Sequence, residues 1–343
     1  MRTIISIIII FGVAGLAFTG DHIIKMKYPS YFPEPSYDFS DNPITPEKIE
    51  LGRMLFYDPI LSKDNSISCA SCHSPYNAFA HTDHNLSHGI NDSIGTRNAP
   101  ALFNLAWQKS LMWDGAIHNL DMQALAPISH PGEMGENISN VVRKLKNTER
   151  YPKAFYDAWH DSTITGEHFL KSLSQFQLTL ISDDSKYDRV KSRVEEFTKQ
   201  EQLGYELFIK HCNSCHTEPI FSTYGFANNG LPIDTTLNDY GKYRITKVTK
   251  DSMKFKIPSL RNLSYSYPYM HDGRFTKLYQ VINHYTEIEV SDTSQPELVA
   301  PIDLNSKGKV DLVAFLLTLN DETFVFNPNN KFPEILLSTK NKQ

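Results

Sequence analysis

Two pentapeptides, Cys69-Ala70-Ser71-Cys72-His73 and Cys212-Asn213-Ser214-Cys215-His216, hold all four cysteines of a 343-residue chain. In each, the two thiols stand about one helical turn apart and an imidazole follows at once. Cys-x-x-Cys-His is the attachment pattern of c-type haem. The thiols add across the two vinyl groups of the porphyrin, and the next residue turns its imidazole onto the iron as proximal ligand. Paired zinc knuckles usually stand roughly 15–20 residues apart, whereas positions 69 and 212 differ by 143. Four cysteines in an exported chain would ordinarily suggest disulfides, but disulfides do not explain a His after each pair. A thioredoxin-like redox motif needs a strand–helix–strand context, and none is visible. Two covalently bound haem c groups are the expected cofactors, on Cys69, Cys72 and His73 and on Cys212, Cys215 and His216.

The motifs belong to a longer repeat. "LGRMLF" (51–56) precedes the first and "LGYELF" (203–208) the second. "APALFNL" (99–105) follows the first and "IPSLRNL" (257–263) the second, and "WDGAIHNL" (113–120) is matched by "HDGRFTKL" (271–278). Pro100 to Asp114 and Pro258 to Asp272 are both 14 residues, so order and spacing agree. The chain therefore reads as two copies of one haem-binding unit. Its signals are helical: Thr45-Pro46-Glu47 caps "KIELGRMLF", and Thr198 with Glu201 forms a capping box before "QLGYELF". "ISNVVRKLKNTERYPKAFYDAW" and "GEHFLKSLSQFQLTLI" carry apolar residues at helical spacing, and "KVDLVAFLLTL" (309–319) reads as an apolar closing helix. Strand alternation is scarce, and 74–98 and 217–256, rich in Gly, Asn, Asp, Ser and Thr, read as haem-covering loops.

The length suffices for two cores, and the net charge of −5 argues against a nucleic-acid footprint. Arg2 followed by the apolar run Ile4 to Phe18, with small residues at Ala17 and Thr19, predicts an export signal over 1–20 and a periplasmic protein. An uncleaved N-terminal anchor is the alternative, since the run approaches spanning length. The domain reading is 21–190 and 191–343, with the break near 185–200.

"LGRMLFYDPILSKDNSISCASCHSPYNAF", "GTRNAPALFN", "WDGAIHNLDMQALAPI", "HPGEMG" and "YMHDGRFTKL" together resemble the bacterial dihaem cytochrome c peroxidase and MauG family. The resemblance covers nearly all of 45–320. It implies an all-α fold of two tandem cytochrome c-like domains, each with one covalently bound haem. It implies that the N-terminal haem, with His73 as proximal ligand, reacts with hydrogen peroxide. The C-terminal haem, on His216, would take electrons from a small c-type cytochrome or cupredoxin. Glu133 matches the family's acid–base residue, suited to moving a proton between the peroxide oxygens. Gln123 matches the amide lining the same pocket, and Trp113 the aromatic between the haems. A Ca²⁺ between the domains would be held by the Asn98 side chain and the carbonyls of Ser266 and Pro268, oxygen donors that suit a hard cation. By composition alone Glu133 would be a solvated carboxylate, Asn98 a turn residue and Trp113 a core residue; the motif matches set them apart.

The sixth ligands are the variable part of the resemblance. Classical members close the peroxidatic iron with a loop His; His81, His84 and His88 are candidates, and His88 fits best. At the second haem classical peroxidases place a Met 14 residues after the His of "HDG"; here that position is Tyr285, as in MauG-type members. Met270 and Met253 are the other candidates. A phenolate stabilises ferric iron and lowers the potential relative to Met. A His/Met haem suits an electron inlet for peroxide reduction. A His/Tyr haem shares oxidising equivalents with the first and suits peroxide-driven oxidation of a partner protein. The leading reading is a periplasmic dihaem cytochrome c peroxidase that reduces hydrogen peroxide to water; a MauG-like oxidation of a partner protein is the alternative, and a non-catalytic dihaem electron carrier is a third class, against which Glu133, Gln123 and Trp113 argue. Family members are often homodimers, but no interface is readable here.

Overall fold

The computed structural model describes residues 22–288 and 300–337; the expected export signal at 1–20 lies outside the described residues. The first half carries α1 (Pro46–Tyr57), α2 (Cys69–Cys72), α3 (Leu120–Gln123), α4 (Leu125–Ser129), α5 (Ile138–Lys146), α6 (Arg150–Trp159) and α7 (Gly166–Leu178). Then follow α8 (Lys186–Lys191), α9 (Lys199–His211), α10 (Tyr243–Thr246), α11 (Leu278–Glu287), α12 (Ser306–Leu317) and α13 (Glu322–Val325). Sheet among the described residues is one two-residue antiparallel pair, β1 (Phe226–Ala227) with β2 (Phe255–Lys256). The fold is thus mostly helical, as the sequence predicts.

The caps form as their residue types dictate. Thr45, in extended backbone, accepts from the Lys48 amide at 3.2 Å and Pro46 opens the first turn. Thr198 accepts from the Glu201 amide at 3.3 Å while the Glu201 carboxylate accepts from the Thr198 amide at 2.7 Å. The long periodic stretch after Asn137 divides into α5 and α6.

The duplication is written in the packing. In the first unit α1 crosses α7, and in the second α9 crosses α12. Each crossing is closed by a glycine. A Cβ on Gly52 would stand 1.9 Å from the Ser172 carbonyl oxygen, and one on Gly204 2.0 Å from that of Asp311. Four residues past each contact an aromatic pair completes the core: Phe56 on Phe176 at 5.2 Å, Phe208 on Phe315 at 5.1 Å between ring centroids. The "WDG" and "HDG" turns match as well. The Leu111 amide donates to the Ile117 carbonyl and that of Tyr269 to Phe275, each at 2.6 Å. Met112 and Met270, and Gly115 and Gly273, share left-handed backbone.

Two apolar cores result, one built on Leu51, Leu55, Phe56, Phe79, Phe155 and Phe176, the other on Tyr187, Phe208, Phe221 and Phe315. The sequence reads 309–319 as a closing helix, but the chain continues past α12. Phe324, Val325 and Leu336 return to the first core. A third cluster, with Phe32, Trp107, Leu178 and Ile220, joins the N-terminal segment to both halves. Beside it the fully buried Arg261 makes a two-pronged pair with Asp188, both bonds 2.7 Å, and Tyr31 donates to the same carboxylate at 2.9 Å. No described helix is long and apolar enough to cross a membrane.

Candidate active site

Both Cys-x-x-Cys-His motifs sit at the end of a helical turn that delivers the imidazole. Ser68 and Ser71 cap α2 reciprocally, and His73 follows at its C-cap. The His73 ring Nδ1 lies 2.9 Å from the Phe79 carbonyl. In the second unit His216 Nδ1 lies 3.1 Å from the Pro258 carbonyl and 3.3 Å from that of Phe221. A carbonyl only accepts, so Nδ1 carries the proton and Nε2 keeps its lone pair. Burial pushes each imidazole down to about 4, against the opposing pull of those carbonyls, so both rings are neutral at pH 7. All four thiols are unpaired. Burial pushes Cys69 and Cys212 up to about 12. Among the described residues no three His, Cys, Asp or Glu side chains converge on a metal site. Neutral imidazoles with free Nε2, each beside two unpaired thiols, are the donor set that a c-type haem requires.

Around the first motif the structure brings together Cys72, the His88 loop and the Glu133 turn. The Cys72 thiol donates to the His88 carbonyl at 3.4 Å, and the Ile90 amide to the Glu133 carbonyl at 2.8 Å. Gly89 makes this contact feasible, since a Cβ there would stand 2.2 Å from the Gly132 oxygen. Burial of its carboxyl raises the Glu133 pKa, partly offset by His130, whose Nδ1 is 3.8 Å from Oε1. Glu133 in turn raises Cys72, after burial, so the carboxylate faces the thiol side of the motif. The His88 ring stacks on His84 with centroids 4.2 Å apart and its Nδ1 meets Asp92 at 3.1 Å. His81 is buried, with Nδ1 lacking a partner, and its charge would weigh on His73. Gln123 closes α3 and donates to the Met112 sulfur at 3.6 Å, one residue before Trp113.

Between the units Asn98 is the joint. Its carbonyl accepts the Trp113 indole N–H at 2.8 Å and its amide donates to the His271 carbonyl at 2.7 Å. Trp113 and His271 are counterparts in the repeat, so Asn98 ties the two turns together. The Asn98 side chain reaches the Pro268 carbonyl at 2.6 Å and its Oδ1 is buried without a partner. An orphaned amide oxygen beside a backbone carbonyl fits a calcium position. Ser266, the remaining expected ligand, turns its hydroxyl to the Asn262 carbonyl at 3.1 Å, which leaves its own carbonyl as the candidate donor.

Tyr285, on α11, lies within charge range of the second motif. Burial raises its phenol, an amide hydrogen bond from Asn229 lowers it, and the Cys212 and Cys215 thiols raise it. Asn229 also donates to the Met270 sulfur at 3.5 Å, so one amide holds two of the sixth-ligand candidates. Met253 has left-handed backbone and bonds the Tyr240 carbonyl at 3.0 Å.

Sequence reasoning did not single out three residues. Arg97 pairs with Asp114 at 2.7 Å and Asp239 at 2.6 Å, bolting the units beneath Trp113. Its signal was "GTRNAP", where an Arg precedes the joint residue. Lys256, buried and pushed down to about 7 by desolvation, donates to the Gln108 side chain at 3.3 Å and to the Ser110 carbonyl. Asn229 lies in a polar loop and carries no local pattern.

Residues 46–196 match the model of the di-haem cytochrome c peroxidase family. The methylamine utilization protein MauG of Methylorubrum extorquens is 34% identical over 308 residues, 87% of this chain and 84% of that protein. This chain belongs to the dihaem cytochrome c peroxidase and MauG family. Cytochrome c551 peroxidase of Nitrosomonas europaea, on the peroxidase side of the family, is 31% identical over 307 residues, 84% of each chain. The fold agrees: a crystal structure of a MauG-like protein associated with microbial copper homeostasis superposes with a TM-score of 0.81 at 31% identity, over 90% of this chain and 99% of that one. The family accounts for the two haem motifs and for the mostly helical architecture together.

Proposed function

We propose that this member is a periplasmic, MauG-type dihaem enzyme that uses hydrogen peroxide to withdraw electrons from a partner protein. Its units are 21–190 and 191–343, with the last segment folded back on the first core. Two haems are covalently held by Cys69 and Cys72 and by Cys212 and Cys215, with His73 and His216 as proximal ligands. When bound, they supply the iron redox chemistry by which two electrons and two protons convert one peroxide to two waters.

The chain's own residues handle the rest. The Glu133 carboxylate takes a proton from one peroxide oxygen and returns it to the other. Gln123 orients the peroxide from the Met112 side. The His88 loop, seated on the Glu133 turn, limits access to the same face. Trp113 and His271, joined through Asn98, give a bonded route between the units. Ca²⁺ at Asn98, Ser266 and Pro268 would stiffen that route.

The observation that carries this reading is Tyr285, within charge range of both thiols of the second motif and sharing the Asn229 amide with Met270. A phenolate there makes the second unit a poor inlet from a high-potential donor and a good store of oxidising equivalents. The similarity to MauG and to a MauG-like structure supports it. A second reading, peroxide reduction with electrons from a small c-type cytochrome or cupredoxin, is favoured by the His88 loop tied to the Glu133 turn through the Ile90 amide, which resembles a closed gate. Stopped-flow absorbance with peroxide separates them. Rapid reaction of the fully ferric protein is expected; reaction only after one-electron reduction refutes the first reading and leaves the gated peroxidase.

A further inference from the structure

The loop between the second motif and the "HDG" turn is basic. Residues 240–254 contain five basic side chains and one acidic in a protein of net charge −5. The basic side chains Arg244, Lys247 and Lys250 are exposed, and between them Ile245 and Val248 are 50% and 44% exposed. Neither Lys247 nor Lys250 has a carboxylate partner among the described residues; Arg244 stands 3.7 Å from the buried Asp239, which Arg97 already neutralises. A basic rim around exposed aliphatic side chains on one short helix and its flanks has the composition of a protein-docking face.

Its placement separates it from an ordinary solvated loop. The Lys242 amide bonds the Lys254 carbonyl at 2.8 Å, laying the loop along β2. Gly241 permits that approach, since a Cβ would meet the Lys254 oxygen at 2.3 Å. On the inner side of the same ribbon the Lys256 amide bonds the Trp113 carbonyl at 2.8 Å, and the Phe255 ring stacks on His271 at 3.6 Å. The Phe226 ring fills the space beside Gly115, with Lys242 4.5 Å above it. One thin ribbon therefore separates the basic face from the two turns that Asn98 joins.

We propose that the face formed by Arg244, Ile245, Lys247, Val248 and Lys250 docks an acidic partner protein that gives electrons to this chain. The proposal rests on the peroxide-driven reading above for the direction of electron flow; the docking itself does not. Complementary charge steers the encounter, and the exposed aliphatic side chains supply the area buried on contact. An acidic surface placed here brings the partner's oxidisable group over the Trp113–His271 joint instead of over the peroxide side of the first unit.

The test uses the holoprotein, reduced plastocyanin as an acidic cupredoxin probe, and a basic mitochondrial-type cytochrome c as its counterpart. Calorimetric Kd is measured at about 10 mM ionic strength, where surface charge is least screened. Plastocyanin is expected to bind more tightly than the basic cytochrome and to weaken as salt rises. Lys247→Glu with Lys250→Glu is expected to weaken plastocyanin about tenfold or more, while peroxide turnover with a small dye stays unchanged. Equal binding of the two probes, an unaffected double variant, or binding only to phosphatidylglycerol vesicles overturns the docking proposal. Absence of dye turnover in the unaltered protein speaks against the peroxide reading alone, because Kd still reports on the surface.

Discussion

Replacing Gly52 by Ala forces the first helix crossing apart by an amount the structure sets. The new Cβ would sit 1.9 Å from the Ser172 carbonyl oxygen and 3.0 Å from the Phe176 Cβ. The near neighbour is backbone in the middle of α7, so no side chain can swing away; the helices must separate by more than about 1 Å. A gap of that size forfeits a quarter to a half of the dispersion well for each pair spanning it, and Phe56 on Phe176 is such a pair. Overpacking of this kind costs roughly 3 kcal/mol, offset by about 1 kcal/mol from the better helix propensity of Ala. The net, about 2 kcal/mol, corresponds to a fall in Tm of about 4–8 °C for a unit of this size. Gly204→Ala repeats the experiment in the second unit, where the Asp311 oxygen is 2.0 Å away. The assay is thermal denaturation followed at the Soret band, with haem content checked beforehand. Melting of both variants within about 1 °C of the unaltered protein would refute the claim that these two glycines close the duplicated crossings.

Glu133→Gln is expected to lower peroxide turnover by about 10²-fold or more. Since burial holds the Glu133 carboxyl above the ordinary carboxylate value, and the carboxylate is the form that accepts the proton, turnover should rise as pH rises through that raised value. The Gln variant should lack that limb; an unchanged profile removes the assignment. Tyr285→Met should raise the second haem's potential by on the order of 0.1 V, a fraction of the ~0.8 V that axial ligands command, and an unmoved potential in a redox titration means Tyr285 is not a ligand. Asn98→Ala should abolish calcium binding measured by elemental analysis, since it removes the orphaned amide oxygen but neither backbone bond of the joint; full retention of calcium moves the site elsewhere. Cys72→Ala should leave the first haem held by one thioether at most, and two fully linked haems by mass spectrometry would refute the attachment scheme.

The haem motifs, the repeat and the helical caps were legible because each depends on local chemistry. A Cys-x-x-Cys-His turn, a Thr before Pro, and a Gly in "LG" at equal spacing state their roles within a few residues. The roles proposed for Glu133, Gln123 and Trp113 rest on motif resemblance, since nothing local distinguishes a carboxylate that will be desolvated from one that will not. Arg97 and Asn229 were not legible. Their partners lie far away in sequence: Arg97 meets Asp239 across 142 positions, and Asn229 meets Met270 across 41. The return of 324–336 to the first core escaped for the same reason. Its apolar residues are broken up by Asn and Pro and show no helical or strand period, and only the finished surface of that core shows where they belong.

The duplication also shows where the two copies were free to diverge. Positions that close the fold kept their residue types: Gly52 and Gly204 at the crossings, Phe56 and Phe208 in the cores, Asp114 and Asp272 in the turns. The turn residue before each of those aspartates changed, Trp113 in one copy and His271 in the other, while the backbone around it did not. Met112 and Met270 likewise hold matched left-handed positions, yet the amide on each comes from a different element, Gln123 on α3 and Asn229 in a loop. In the first copy that amide belongs to a residue proposed for the peroxide pocket; in the second it also bonds the Tyr285 phenol. A repeat used only as an electron wire would need no such asymmetry, because two equal haem sites pass electrons equally well. The differences fall on residues to which the proposed function gives unlike tasks, Gln123 beside the peroxide and Tyr285 at the electron store.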